Sequence, residues 1–383
     1  MTLEHCINIE DLRVAARRRL PRMVFDFVEG GAEDETGLAR NRNTFDDWQF
    51  VPRRMVNVSH RDLRTGRDGT MRALPFGIGP TGLNGLLWPQ GDLHLARAAQ
   101  RKGIGFALST AANLSIDELA QKVPGGDHWF QLYIVHRGLA GQLVQKALNA
   151  GYRTLVMTVD VPLNGKRERD VRSGFGLPFR YTPRVIQDIA RHPRWAWSML
   201  RHGAPRMANF AGLDAHNVEL QAALLARQMD SSFDWPALQW IRDLWPHRLL
   251  VKGILHADDA AACARLGVDG LILSNHGGRQ IDHSISALDA LPHIRAALPA
   301  LPVWVDGGVR RGSDVVKAMA LGASGVLLAR ATLYGLACAG QAGAEQAIEI
   351  LRGEIDNTLA NLGCPSIDQL QPEHLHRSRA REF

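Results

Sequence analysis

What this 383-residue chain lacks narrows its class first. No apolar run approaches the ~18 residues of a membrane-spanning helix, and Met1-Thr2-Leu3-Glu4-His5-Cys6 has neither the basic start nor the apolar core of a signal peptide. The four cysteines, Cys6, Cys263, Cys338 and Cys364, are scattered without metal-ligand spacing. No metal site is expected, and reduced thiols in a cytosolic protein are the expected state. Charged residues make up 22% against 45% hydrophobic, which excludes a disordered chain. A net charge of +6 is mild for this length. It suits an anionic ligand or an anionic membrane face, and no basic patch on a recognisable module calls for nucleic acid.

What is present is a recurrence. Short apolar runs stand at 75–79, 104–108, 129–133, 154–159, 248–252, 270–273, 303–306 and 325–328. Helical patterns such as 92–102, 137–150, 234–244, 257–266 and 312–321 lie between them, usually closed by a glycine. Eight strands alternating with helices predict a single-domain (β/α)8 TIM barrel over 1–383. A doubly wound open sheet is the alternative, weakened because no G-x-G-x-x-G follows the first strand. Residues 1–60 read as a helical N-terminal extension, punctuated by Leu20-Pro21 and the 29–34 turn. The segment after strand four is far longer than a βα unit needs. Within it, residues 172–210 carry Arg172, Arg180, Arg184, Arg191, Arg194, Arg201 and Arg206 against one acid, Asp188, interleaved with Trp195, Trp197, Met199 and Leu200. Such a basic, tryptophan-rich insertion reads as an interfacial membrane anchor or as a basic active-site lid.

Polar residues gather at the C-terminal strand ends, where barrel enzymes carry their sites. The stretch Ser274-Asn275-His276-Gly277-Gly278-Arg279-Gln280 is the most telling. His276 exchanges a proton near neutral pH, and Arg279 grips a carboxylate with two parallel hydrogen bonds. Asp306-Gly307-Gly308-Val309-Arg310 and Ala329-Arg330 close the last two strands, the usual place of a barrel's phosphate site. Lys252 ends the fifth strand amid apolar residues and needs an anion, such as a reduced flavin; a Schiff-base lysine is the competing reading. His276 and Arg279 favour oxidation of a 2-hydroxy acid over aldol or isomerase chemistry on a phosphorylated substrate. Asp160 would steady the imidazolium, and Tyr133 and Arg167 would reach the substrate's oxygens.

Those residues carry a resemblance over roughly 5–370. The 274–280 run, with Gly79-Pro80-Thr81-Gly82, Gln131-Leu132-Tyr133, Thr158-Val159-Asp160, Arg167-Glu168, Leu250-Val251-Lys252-Gly253 and the 306–312 stretch, resembles the FMN-dependent 2-hydroxy acid dehydrogenase and oxidase family. The resemblance implies His276 as base supported by Asp160, with Arg279, Arg167 and Tyr133 on the substrate. It implies FMN held by Pro80, Thr81, Gly82, Ser109, Gln131, Thr158, Lys252, Ser274, Asp306, Gly307, Gly308, Arg310, Ala329 and Arg330. The stretches 80–89, 227–233 and 243–247 resemble membrane-associated members acting on aromatic, mandelate-like acids. They imply a homotetramer, peripheral on the cytoplasmic face of the inner membrane, that passes electrons to a quinone. An L-lactate dehydrogenase and a non-enzymatic membrane-docked module stay open beside this. Gly82 would leave room for a phenyl ring. Two positions depart from the family: Phe27 stands where a substrate-binding tyrosine is usual, and Ala329 where glycine is usual, a change expected to crowd the phosphate loop.

Overall fold

A computed structural model describes residues 3–176, 182–210 and 230–378. Arg180 and Arg227–Met229 lie outside them. The eight expected runs form the closed parallel barrel β2-β3-β4-β5-β6-β7-β8-β9. Its strands are β2 (Phe76–Ile78), β3 (Phe106–Ser109), β4 (His128–Leu132), β5 (Thr154–Thr158), β6 (Arg248–Lys252), β7 (Gly270–Leu273), β8 (Val303–Asp306) and β9 (Gly325–Leu328). Closure is explicit in the register: Ile78 pairs with Phe106 on one side and Leu328 on the other. The open-sheet alternative therefore falls. Strand residues alternate between two surfaces. One set, Ala107, Trp129, Val156, Leu250, Ile272, Trp304 and Leu327, forms its own buried cluster, separate from the larger core. There Trp129 and Trp304 meet edge to face at 5.2 Å, and the Arg72 guanidinium lies 5.3 Å from each ring.

The extension is α1 (Ile9–Arg19), α2 (Arg22–Glu29) and α3 (Thr36–Asn43), with Leu20 and Pro21 as the break between the first two. It is not helical throughout. Residues 48–50 form β1, paired antiparallel with β10 (Leu375–Arg377). That pairing joins the two ends of the chain, which no local pattern announces. The helices after the barrel strands include α4 (Gly91–Arg101), α5 (Ile116–Lys122) and α6 (Arg137–Asn149), placed where expected or between expected segments.

The long segment between β5 and β6 contains α7 (Glu168–Ser173), α8 (Pro183–Ala190), α9 (Pro193–His202) and a 3-10 turn at Ala208–Phe210. Its tryptophans do not behave alike. Trp195 is 7% exposed and donates its indole N–H to the Leu86 carbonyl at 2.7 Å, so it docks the insertion onto the barrel. Trp197 is 64% and Leu200 80% exposed on the same helix, with Ile186 on α8 at 54%. Helical periodicity separates a docking face from an outward one. The remaining helices are α10 (Trp235–Leu244), α11 (Ala257–Arg265), α12 (Ala287–Ala297), α13 (Gly312–Ala320) and α14 (Arg330–Leu362). The last is broken at Ala339–Gly340. Among the described residues no helix is long and apolar enough to cross a membrane.

Candidate active site

The strand ends converge on one cavity at the C-terminal mouth. Pro80, Thr81 and Gly82 after β2, Ser109 at the end of β3, Tyr133 after β4 and Lys252 at the end of β6 all line it. So do His276, Arg279 and Arg167, together with Asp306, Gly307, Gly308, Arg310, Ala329 and Arg330. Gln131, Thr158, Ser274 and Asp160 stand behind this wall as hydrogen-bonding supports. Ser109 Oγ donates to Gln131 Oε1 and Gln131 Nε2 to Thr158 Oγ1, both at 3.0 Å, a buried row across three adjacent strands.

His276 is the centre of the polar end. Its φ is +58°, and Gly277 and Gly278 follow at +65° and +73°. A non-glycine residue held there stores about 1–3 kcal/mol of strain. The Nδ1–H donates to Asp160 Oδ1 at 2.9 Å, which leaves the Nε2 lone pair facing the Tyr133 hydroxyl at 3.2 Å. Burial lowers the His276 pKa; Asp160 pulls upward, Lys252 and Arg167 downward, and the net is below the ordinary histidine value. The imidazole is therefore neutral near pH 7 and free to take a proton. Burial opposes ionisation of Asp160, but His276 and Lys252 outweigh it and hold its carboxyl below the usual range. Burial raises the Tyr133 pKa, so the phenol stays a neutral donor.

Lys252 corrects one step of the sequence reading. Its Nζ lies 2.8 Å from Asp306 Oδ2 and 2.8 Å from Ser274 Oγ, and Ser274 Oγ donates to Asp306 at 2.8 Å. The anion that compensates this buried lysine is a protein carboxylate, so burial alone does not demand a cofactor anion. Burial favours the neutral amine, yet Asp306 and Asp160 outweigh it and raise the pKa above the ordinary lysine value. A Schiff-base lysine needs the opposite shift. That competing reading loses its physical basis.

Other lining residues have further structural partners. Arg330 donates to the carbonyls of Val28 (2.8 Å), Gly277 (3.0 Å) and Gly30 (2.8 Å). It clasps the extension to the β7 loop, with most of its fork already committed. Arg310 carries its guanidinium 5.5 Å from the Tyr334 ring and donates to the Val309 carbonyl at 2.8 Å. A Cβ on Gly82 would lie 2.9 Å from the Ala111 Cβ. The missing side chain thus serves the packing of two loops as well as cavity space. Ala329 has φ −117°, so its position does not call for the left-handed backbone that favours glycine. Gly308, by contrast, has φ +79°, and any side chain there would overlap the Asn41 carbonyl.

Phe27 stacks on Phe175 with centroids 4.3 Å apart and 14° between planes, and the Arg279 guanidinium lies 5.2 Å from the Phe27 ring. Arg279 also donates to the Gly30 carbonyl at 2.7 Å, while Arg167 donates to Gln280 Oε1 at 3.1 Å. Sequence reasoning missed the apolar lining: Leu87, Val135, Val161, Met207, Phe210 and Leu333. Met207 and Phe210 belong to the insertion. Nothing in their local sequence marks them, because an apolar residue shows its role only by where the chain folds back.

The cavity fits FMN. Its lining offers the Gly307–Gly308 backbone, the N-terminus of α14 and Arg310 to a phosphate, a charged lysine, and His276 with Arg167 and Arg279. The profile of the family described as FMN-dependent dehydrogenase matches residues 16–377. The chain belongs to that family. FMN is its cofactor. It is 53% identical over 372 residues to (S)-mandelate dehydrogenase of Pseudomonas putida, covering 97% of this chain and 94% of that one. An L-lactate dehydrogenase of Caulobacter vibrioides (strain NA1000 / CB15N) is 42% identical over 358 residues, 92% of this chain and 93% of that one. The crystal structure of the monotopic membrane protein (S)-mandelate dehydrogenase superposes with TM-score 0.94 at 53% identity, covering 97% and 100% of the two chains. A mandelate oxidase variant with (S)-mandelic acid gives 0.81 at 32%, covering 97% and 98%.

Proposed function

We propose that this FMN-dependent dehydrogenase oxidises an (S)-2-hydroxy acid with an aromatic, mandelate-like side chain to the 2-oxo acid. The observation that carries the reading is the half-buried Asp160–His276–Tyr133 chain facing the same cavity as Arg167 and Arg279. Arg279 and Arg167 hold the substrate carboxylate. His276 Nε2 accepts a substrate proton, Asp160 stabilises the imidazolium that results, and neutral Tyr133 donates to a substrate oxygen. FMN, when bound, would supply the acceptor for the electron pair together with the substrate's second hydrogen. Lys252, set by Ser274 and Asp306, places a fixed positive charge in the cofactor cavity. Pro80, Thr81, Gly82 and Ser109 form one wall, backed by Gln131 and Thr158. Gly307, Gly308 and Arg310 take the phosphate, with Ala329 and Arg330 closing that end. Phe27, Val135, Val161, Met207 and Phe210 give the cavity an apolar lining that suits a ring better than a methyl group. Yellow protein that bleaches anaerobically with (S)-mandelate supports the assignment; no bleaching with any of a panel of 2-hydroxy acids removes it. L-lactate is the second reading, favoured by the 42% identical relative, and kcat/KM for lactate against mandelate decides between them.

The outward face of α8 and α9 supports a peripheral membrane contact. Ile186, Trp197 and Leu200 are exposed there beside Arg184, Arg191 and Arg201. We place the protein on the cytoplasmic face of the inner membrane as a homotetramer, with a quinone as electron acceptor. Reoxidation of reduced enzyme by a soluble quinone, compared with oxygen, tests the acceptor; light scattering tests the tetramer.

A further inference from the structure

The cavity wall made by the turn after β2 and the loop after β3 is fixed from outside, by α4. Asp92, on its first turn, is 1% exposed and does not line the cavity. Its Oδ1 accepts from Asn84 Nδ2 at 2.7 Å, and its Oδ2 accepts the Asn113 backbone N–H at 2.7 Å. Asn84 passes that hold to Thr81, donating to its carbonyl at 3.2 Å and its Oγ1 at 2.9 Å. Asn113 passes it in two directions. Its Oδ1 accepts the Gly85 N–H at 2.8 Å, and its Nδ2 donates to the Arg206 carbonyl at 2.8 Å. One carboxylate thus ties together the β2 turn, the β3 loop and the inner end of the insertion. Burial pushes its pKa up to about 6, so at neutral pH it is ionised and only accepts. That fixes the Asn84 amide with its nitrogen toward Asp92. Asn84 Oδ1 is left buried with no hydrogen-bond partner among the described residues. A side chain placed there for packing alone would not carry that unpaired acceptor.

We propose that Asp92 is a positioning residue of the flavin site: acting through Asn84 and Asn113, it sets the Thr81–Gly82 and Ser109–Ala111 backbone against bound FMN. The proposal rests on reading this cavity as the FMN site. Asp92 touches neither cofactor nor substrate. Its contribution is to hold two loops at one separation, and the two walls respond together when it is changed.

The test compares wild type, Asp92→Asn and Asn113→Ala for FMN dissociation constant, visible flavin spectrum and melting of the apoprotein. Asp92→Asn turns an amide nitrogen toward one of the donors it must accept. It should raise the FMN dissociation constant about tenfold, equal to about 1.4 kcal/mol, and blur the flavin's vibronic shoulders. Asn113→Ala leaves both Asp92 bonds in place but cuts the links to Gly85 and Arg206. It should move the same readouts in the same direction by less. Lowered apoprotein melting with unchanged FMN affinity and spectrum in Asp92→Asn overturns the proposal. If that variant does not fold, wild-type FMN affinity and spectrum in Asn113→Ala overturn it instead. A wild-type protein that binds no FMN overturns the cavity reading and the proposal with it.

Discussion

Replacing Asp160 by asparagine tests the catalytic reading where two effects pull in opposite directions. Asp160 Oδ1 accepts from His276 Nδ1 at 2.9 Å, and Asp160 Oδ2 is buried without a hydrogen-bond partner among the described residues. The carboxylate's stabilisation of the imidazolium is thus concentrated in one short charge-assisted bond, worth about 1.5–3 kcal/mol. Losing it in the transition state, where His276 takes the proton, lowers kcat by about 10- to 150-fold. The pH dependence moves the other way. Catalysis needs neutral His276, so kcat/KM falls on the acid side as the ring protonates. In the wild type that fall is centred below the ordinary value of about 6.5, because burial, helped by Lys252 and Arg167, outweighs the upward pull of Asp160. Without Asp160 the upward pull is gone, and the acid limb shifts to still lower pH while the plateau drops. Anaerobic stopped-flow reduction of the flavin by (S)-mandelate, followed across the pH range, reads both. An acid limb that stays in place or moves up, or an undiminished plateau, would show that Asp160 does not act on His276 as argued.

Other expectations can be checked more briefly. Phe27→Tyr supplies a hydroxyl beside the arginine-held carboxylate; one added hydrogen bond to a charged group, about 1.5–3 kcal/mol, lowers KM by tenfold or more, and an unchanged KM refutes it. Lys252→Met leaves Asp306 buried without its cation, a change that typically destabilises by about 3–5 kcal/mol, visible as a lowered Tm. Trp197→Ser with Leu200→Ser removes the outward apolar surface of α9 and should release the protein from anionic liposomes with FMN still bound; persistent flotation refutes the anchor. Deletion through Phe210 is a poorer test of the anchor, because it removes Met207 and Phe210 from the cavity as well. Its expected outcome is loss of substrate specificity or of flavin, measured by spectrum and kcat/KM.

Much of the site was legible because barrel chemistry is ordered along the chain. Each strand is a short apolar run, and the polar residue that ends it points into the shared mouth, so Ser109, Lys252, His276 and Asp306 could be named from periodicity alone. The family likeness added roles to those positions. What local pattern could not reveal was which polar groups satisfy one another. Lys252 looked like a cation awaiting a cofactor until Asp306 was found 2.8 Å away. Arg330, read from the sequence as a phosphate ligand, proved also to clasp the carbonyls of Val28, Gly30 and Gly277. Trp195 and Trp197 looked alike until helix packing buried one and exposed the other.

The sequence by itself determined the alternation of strands and helices, and it singled out His276 as the proposed proton acceptor, Arg279 as the proposed carboxylate clamp and 306–310 as the proposed phosphate loop. Each depends on residue type at a fixed place along a strand. The tertiary structure alone decided that the sheet closes, that the insertion supplies Met207 and Phe210 to the cavity, and that Asp92 braces loops from outside it. Each of these joins segments far apart in the chain. Burial and hydrogen-bond pairing are properties of such meetings, and no residue carries them in its own neighbourhood.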